Sequence, residues 1–251
     1  MIKHHLIKSK MTKTKPLLDD PILSQYVPEL HWFSKEHLKR MLFKYGTVYV
    51  KPDEGSLGLG VRRLKLKSDS VCKLANVESS REMSPSQAIK TLRKALDPKE
   101  NYLVQQGIDL STYKGRPFHV RIVMQKPMDR WQVSLTSAIL GKKKNAITTN
   151  VASGGSELPL EEMMYKKDQN WGPMTTYREL LDLSHQIVSA IGAKLPILVA
   201  GLDMGIDKNG RVWFIEANTR PDVEGYRELN DRISIEKYLQ AKRWINKHQK
   251  K

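Results

Sequence analysis

The chain contains a single cysteine, Cys72, in 251 residues. One thiol excludes an internal disulfide framework and fits a reducing compartment. Cys72 has no partner base close by in sequence, so it reads as a packed thiol and not as a nucleophile. Aromatic residues make up only 7%, and no interleaved basic–aromatic stripe that could stack single-stranded bases is present. No run of about 18 apolar residues exists, so no membrane span is expected. The first ten residues lack the apolar stretch and small-residue site of a secretory signal. Repeats, low-complexity tracts, zinc-finger spacings, RNA-recognition sequences and basic zippers are missing too. A cytoplasmic protein is expected.

Positive charge is what the chain has in excess. It carries 43 Lys and Arg against 27 Asp and Glu, a net charge of +16. Such an imbalance implies an anionic partner: nucleotide phosphate, nucleic acid, an acidic polymer or a surface. Residues 1–15 hold five lysines, and the chain ends Lys247-His-Gln-Lys-Lys251. Both ends are expected to be solvated basic tails, the first a loose arm outside any binding site. The prolines at 16, 21 and 28 argue against one long helix beyond it. With 39% hydrophobic and 28% charged residues the remainder is globular, long enough for one domain or two intimate lobes.

Residues 199–221 read as a β-hairpin, because Asn209-Gly210 is a turn signal between two apolar runs. A two-residue loop at 209–210 sets Asp203 opposite Glu216; a loop one residue earlier sets Asp203 opposite Phe214. In either register Asp203, Glu216 and Asn218 share one face, with Trp213, Ile215 and Ala217 turned to a core. Two carboxylates and an amide oxygen within cross-strand reach suit Mg2+ or Mn2+ better than zinc. The same pattern also describes an amphipathic hairpin with acids on its solvent face.

A second stretch is suited to phosphates. Residues 47–66 run from a β-branched strand ending at Lys51, through a glycine-rich loop, into an alternating strand from Val61 to Leu66. This is neither a P-loop nor a dinucleotide fingerprint, since no Gly-Lys-Ser/Thr is present and the loop leads into a strand. Gly58 and Gly60 would let backbone N–H groups approach phosphates, and Lys51 would supply a point charge. Further along, the lysine run ending at Lys144 adjoins the loop from Asn150 to Gly155 and is a candidate phosphate contact. Capping and periodicity predict helices over 35–45, after Ser84-Pro85, over 174–193 and over about 226–247. Strands are predicted at 102–106, 115–125 and 131–140, with His119 and Arg121 on one face and Phe118, Val120, Ile122 and Met124 on the other.

Lys51-Pro with its glycine loop, Gln105-Gln-Gly-Ile108, Gly115-Arg-Pro-Phe-x-x-Arg121, Thr149-Asn150 through Gly155, Asp203, and Glu216-Ala-Asn218-Thr-Arg-Pro221 occur in a telling order. Together they resemble the ATP-grasp superfamily, and most of all its YheC/YheD-like branch, which is associated with endospore coats. The resemblance spans roughly residues 30 to 245. It implies an α+β fold in which two lobes clasp a nucleotide, with the usual N-terminal α/β domain largely absent. Residues 1–30 would be a basic arm or remnant, 31–105 an N-lobe carrying the flap, and 106–251 a C-lobe carrying the metal-binding hairpin and a terminal helix.

Carried onto this chain, the resemblance implies that Lys51 contacts the nucleotide phosphates beneath a flap bearing Gly58 and Gly60. Gln105, Gln106 and Ile108 would flank the adenine, Lys144 and Asn150 would complete the nucleotide site, and Arg121 would neutralise the transferring phosphate or a bound carboxylate. Asp203, Glu216 and Asn218 would hold one or two Mg2+. The implied reaction is ATP-dependent joining of a carboxylate to an amine through an acyl phosphate, possible in a spore-coat setting. Two other readings stand beside it: an ATP-binding, spore-associated protein with little turnover, and a basic nucleic-acid-binding protein.

Overall fold

Pairing is antiparallel throughout, and it produces two sheets that divide the chain between them. The structure is a computed structural model that describes residues 3–249; Met1, Ile2, Lys250 and Lys251, the extremes of the two basic ends, lie outside it. Helix α1 (Lys10–Leu18) is capped by Ser9, whose side chain accepts from the Thr12 N–H at 3.0 Å. Pro16 lies inside this helix, in its last turn.

The first sheet runs β1 (Leu30–Trp32), β2 (Thr47–Pro52), β3 (Arg62–Ser68), β4 (Val71–Ala75), β5 (Ser80–Met83) and β6 (Tyr102–Gln106) along the chain. In space the order is β1-β6-β2-β3-β4-β5. Helices α2 (Lys35–Tyr45) and α3 (Pro85–Ala95) cover one face. Ser34 caps α2 and Gly46, at φ +67°, ends it; a Ser84–Gln87 capping box opens α3. Leu38, Met41, Leu42, Ile89 and Leu92 pack there on Val48, Val50, Leu64, Cys72 and Val104. Alternation leaves Tyr49, Lys51, Leu103 and Gln105, paired across β2 and β6, on the opposite face. Cys72 is buried in this core, and burial pushes its thiol pKa up.

The second sheet is built from β7 (Thr112–Tyr113), β8 (Arg116–Gln125), β9 (Gln132–Leu140), β10 (Ser156–Leu158), β11 (Val199–Ile206) and β12 (Val212–Asn218), in the path β10-β9-β8-β11-β12 with β7 beside β8. Helices α4 (Leu160–Lys166) and α5 (Pro173–Lys194) pack on one face. Leu180, Leu183, Ile187 and Ile191 of α5 meet Phe118, Val120, Ile122, Met124 and Leu202. Burying each such side chain contributes roughly 1.5–3 kcal/mol. The terminal helix α6 (Arg232–Gln249) and Tyr226 cover part of the other face around Val123 and Leu135.

The N-terminal segment is not a loose arm. His4 accepts from the Leu198 N–H and bonds the Thr219 carbonyl, Ile7 N–H donates to Thr219 Oγ1, and α1 packs on α5 and β12. Leu17 enters the second core. Because β12 is the edge of its sheet, α1 lies where an exposed strand edge would otherwise invite pairing.

Candidate functional site

The acidic hairpin pairs Asp203 with Glu216 and Gly201 with Asn218. It departs from expectation at its turn. Asp207 N–H bonds Arg211 O at 3.0 Å, so the loop is the three residues 208–210, with Gly210 at φ +86°. An odd loop reverses the alternation on β12, and a bulge between the Asp203 and Met204 pairings reverses it back. Val212 and Phe214 therefore fill the core. Trp213 and Ile215 do not point there as expected, and only Ala217 of the three does. Ile215 instead lies beside Gly205, together with Ile108 and Leu110.

On β8, Arg121 lies opposite Asp203 and binds it through two bonds, Nε to Oδ1 at 2.7 Å and Nη2 to Oδ2 at 3.1 Å. His119 Nε2 stands 3.5 Å from the same Oδ1, and its Nδ1 is 2.5 Å from Thr149 Oγ1. Burial alone would raise the Asp203 pKa; the Arg121 charge, with His119, outweighs it and holds the carboxyl well below the usual range. Arg121 is correspondingly raised, chiefly by Asp203. Glu216 is different. No hydrogen bond from the protein reaches it among the described residues, and its nearest cation is Lys10 Nζ at 3.7 Å.

Three buried lysines converge on these carboxylates: Lys51 from β2, 7% exposed, and Lys10 and Lys13 from α1, at 8% and 4%. Burial lowers Lys51 to about 8; Glu216 and Asp203 pull it up, while Lys10 and Lys13 push it down. Lys10 Nζ also donates to Gly55 O at 2.8 Å and to Asp53 O at 3.4 Å, at the root of the glycine loop. The Asp53 carboxylate in turn accepts from the Met11 N–H at 2.8 Å. Lys10 and Lys13 are additions to the expected site. They occupy buried positions with Thr14 and Leu17 in an i, i+3, i+4, i+7 stripe, a core pattern in which lysine takes two of the four places.

The glycine loop reaches across to the second half. A Cβ on Gly58, at φ +71°, would meet Thr148 at 3.1 Å, and Arg63 Nη1 donates to Asn145 O at 3.4 Å. Gly60, at φ +74°, leaves only 2.8 Å between such an atom and Pro52. Gln105 is buried on the Lys51 face. Gln106 accepts from the Glu29 N–H at 3.1 Å and borders a cleft of about 610 Å3 that also involves Glu29, Tyr45 and Trp213. That cleft has the volume of a small-molecule site, but Lys51, Asp203 and Glu216 do not line it. Asn150 caps the turn Val151–Ser153 and accepts from Ala152 N–H. Lys144 lies elsewhere, its stem over Gly115 and its charge acting on Asp168.

A family model for YheC/D-like ATP-grasp proteins matches residues 1–243. The chain belongs to that family. It is 27% identical over 232 residues to the endospore coat-associated protein YheD of Bacillus subtilis (strain 168), covering 86% of this chain and 47% of YheD. Against YheC of the same organism identity is 23% over 225 residues, with 86% and 60% covered. The chain thus spans about half the length of the curated relatives it matches. Among solved structures, the D-cycloserine synthetase DcsG aligns with TM-score 0.57 at 10% identity, covering 92% of this chain and 69% of that one. The D-alanine-D-alanine ligase of Coxiella burnetii aligns with TM-score 0.53 at 13% identity, covering 97% and 58%. The family match, with these likenesses, establishes the ATP-grasp fold, α+β with two antiparallel sheets.

Within this ATP-grasp frame the second sheet presents further polar groups beside Arg121. Glu157 Oε1 is 3.5 Å from Ser137 Oγ, and burial raises the Glu157 pKa. Tyr226, 2% exposed, has a hydroxyl with no hydrogen-bond partner among the described residues. Neither residue carries a local sequence signal, because each reaches the site from an edge strand or turn that periodicity alone does not place.

Proposed function

We propose that the protein is an ATP- and Mg2+-dependent carboxylate–amine ligase. The observation that carries this reading is the convergence of buried Lys51 with the Asp203–Glu216 pair in an ATP-grasp fold. Solved structures of similar fold include a D-alanine-D-alanine ligase and the ATP-grasp ligase PsnB, the latter determined with Mg and ADP (TM-score 0.51, 14% identity, 93% of this chain and 58% of that one).

The donor set suits a magnesium–nucleotide complex. Mg2+ is usually held by one or two carboxylates plus substrate phosphates, and Glu216, which accepts no hydrogen bond among the described residues, offers such a ligand beside Asn218. Glu216 and Asn218, with Asp203 next to them, would hold one or two Mg2+ or Mn2+, which supply charge neutralisation at the phosphates. Lys51 holds the phosphates beneath the loop bearing Gly58 and Gly60. Arg121 spends two of its five donors on Asp203 and keeps the others for a substrate oxyanion. Ile108, Leu110 and Ile215 offer an apolar wall for the base, near Gln105 and Gln106; Asn150 shapes the loop that meets the flap, and Lys144 approaches phosphates only if that loop moves.

In the reaction a carboxylate oxygen of the donor attacks the γ-phosphorus and the bond from that phosphorus to ADP breaks, leaving an acyl phosphate. The amine nitrogen then attacks the acyl carbon. The carbon–oxygen bond to phosphate breaks, inorganic phosphate leaves, and the nitrogen releases its extra proton to solvent. The substrate pair is a carboxylate and an amine, and the relatives' names point to the spore coat as the setting.

A second reading, an ATP-binding protein with little turnover, is favoured by the full engagement of both Asp203 oxygens with Arg121. Thermal unfolding with ATP and Mg2+, with ATP and chelator, and with GTP tests the common part. Ligand at about 100 times its dissociation constant stabilises the native state by roughly 2.7 kcal/mol. The expected shift requires ATP and metal together and disappears in Glu216→Gln with Asn218→Ala, while the fold survives. An unchanged shift in that double variant sinks the metal assignment. ADP release on adding carboxylate and amine pairs separates the ligase from the binding protein.

A further inference from the structure

Lys13 is 4% exposed, yet its ammonium makes one hydrogen bond, to Lys8 O at 3.4 Å, and no ion pair among the described residues. An ammonium has three donors, and only one of them has a protein acceptor among the described residues. Lys10, one turn earlier on the same face, is satisfied by Gly55 O, Asp53 O and the nearby Glu216. Charges that act on Lys13 come from Glu216, Asp53 and Asp203 on the acidic side and Lys10 on the basic side, which places it beside the Asp203–Glu216 pair. Leaving a buried charge without hydrogen-bond partners is strongly unfavourable unless a ligand supplies them. Arg121 is paired with Asp203, which leaves Lys10, Lys13 and Lys51 beside the carboxylates of Asp53 and Glu216.

We infer that helix α1 is part of the working site and that Lys13, braced by Lys10, binds the phosphoryl group in transfer: the γ-phosphate of ATP. The assignment rests on the ATP-grasp reading and extends it to the N-terminal segment. Lys10 ties α1 to the root of the glycine loop, so the helix stays fixed to the flap's base and to β12 together. The unsatisfied donors of Lys13 then meet the terminal phosphate oxygens that ADP lacks. Lys51, on the opposite sheet, contacts phosphates that both nucleotides share.

The test uses the full chain with Mg2+ and calorimetric titration of two probes, ADP and the non-hydrolysable β,γ-imido analogue of ATP. The expected result is that Lys13→Met loses about tenfold or more in affinity for the triphosphate analogue, a loss of roughly 1.4 kcal/mol or more, with ADP affinity held within about twofold. Unliganded Lys13→Met should melt at or above wild type, since a buried charge without partners has been removed; a merely structural lysine would lower the melting point. Lys13→Arg should restore part of the triphosphate preference. Unchanged preference in Lys13→Met overturns the inference while leaving the ligase reading intact. An equal loss for both nucleotides overturns it too, because Lys13 then serves phosphates that ADP retains. Failure of wild type to bind either probe overturns the nucleotide reading itself, and this assignment with it.

Discussion

Helices α1 and α6 stand near the two ends of the chain, and both are rich in lysine, but they use it in opposite ways. In α1, Lys10 and Lys13 lie on the buried stripe near Glu216 and Asp53, while Lys15 pairs with Asp19 outside. In α6, Lys237, Lys242, Arg243 and Lys247 are exposed, and its inward positions are apolar, with Ala241 and Ile245 buried. A charged side chain in water interacts weakly with everything around it. The same side chain inside, with few partners, creates a demand that a ligand can meet. The difference teaches that the +16 charge is not one property. Part of it is solvated surface, and part belongs to a site.

The largest effect that sharpens this contrast concerns packing. Leu17 on α1 is fully buried, whereas Ile233 at the start of α6 is 79% exposed. Leu17→Ala is expected to lose about 3 kcal/mol through lost burial and a cavity, lowering the melting temperature by roughly 6–12 °C. Ile233→Ala should stay within about 0.5 kcal/mol. Thermal or urea unfolding of the two variants decides the matter. A Leu17→Ala protein as stable as wild type would mean that α1 is a detachable arm after all.

A smaller effect follows from the lysines that α1 sets beside Lys51. Burial lowers Lys51 to about 8, below its ordinary value, and lowers Lys13 in the same direction. A base with a depressed folded pKa loses its proton first in the folded state. Between about pH 8 and pH 10 the unfolded chain therefore binds more protons, and the stability linked to Lys51 rises with pH in that window. ATP affinity should move oppositely, falling about tenfold from pH 7 to pH 9 as the charged form is lost. The slope should flatten in Lys51→Met. Nucleotide titrations across that range, with unfolding curves at the same pH values, test both signs. A pH-independent affinity in wild type would show that Lys51 does not face the phosphates.

Much of the frame was legible because its signals are local. Ser34 and Gly46 bracket α2, Ser84-Pro85 opens α3, and Asp203 faces Glu216, although through a three-residue turn and a compensating bulge and not through the two-residue loop expected. The arrangement of Arg121 and His119 away from Phe118, Val120, Ile122 and Met124 follows from strand alternation. What was not legible depends on an odd count or on distance. The three-residue turn and the bulge at Ile215 each shift parity by one, so Trp213 and Ile215 left the core they were assigned to. Lys10 and Lys13 sit on a helical stripe, but lysine at a core position looks like a tail until the acids opposite are known. Pro16 compounded this. It stands in the last turn of α1, where the bond it forgoes is one of few that remain.

The smallest expected effect is also the sharpest check on the contrast between the two helices. Lys237, Lys242 and Lys247 can be replaced together by glutamine, which removes three positive charges from α6 without touching its buried side. Lys242 stands 5.9 Å from the Tyr238 ring, an exposed cation–π contact of small worth. If that charge is only solvated surface, Mg2+-ATP affinity should stay within about twofold, because exposed charges beyond about 8–10 Å are largely screened at physiological salt. Any residual change should disappear when salt is raised. Titration of the triple variant at low and at physiological ionic strength provides the measurement. A large, salt-resistant loss would place α6 beside α1 in the nucleotide site and dissolve the distinction between them. A loss confined to low salt would instead show that α6 steers the anionic nucleotide from a distance, raising its association rate without contacting it.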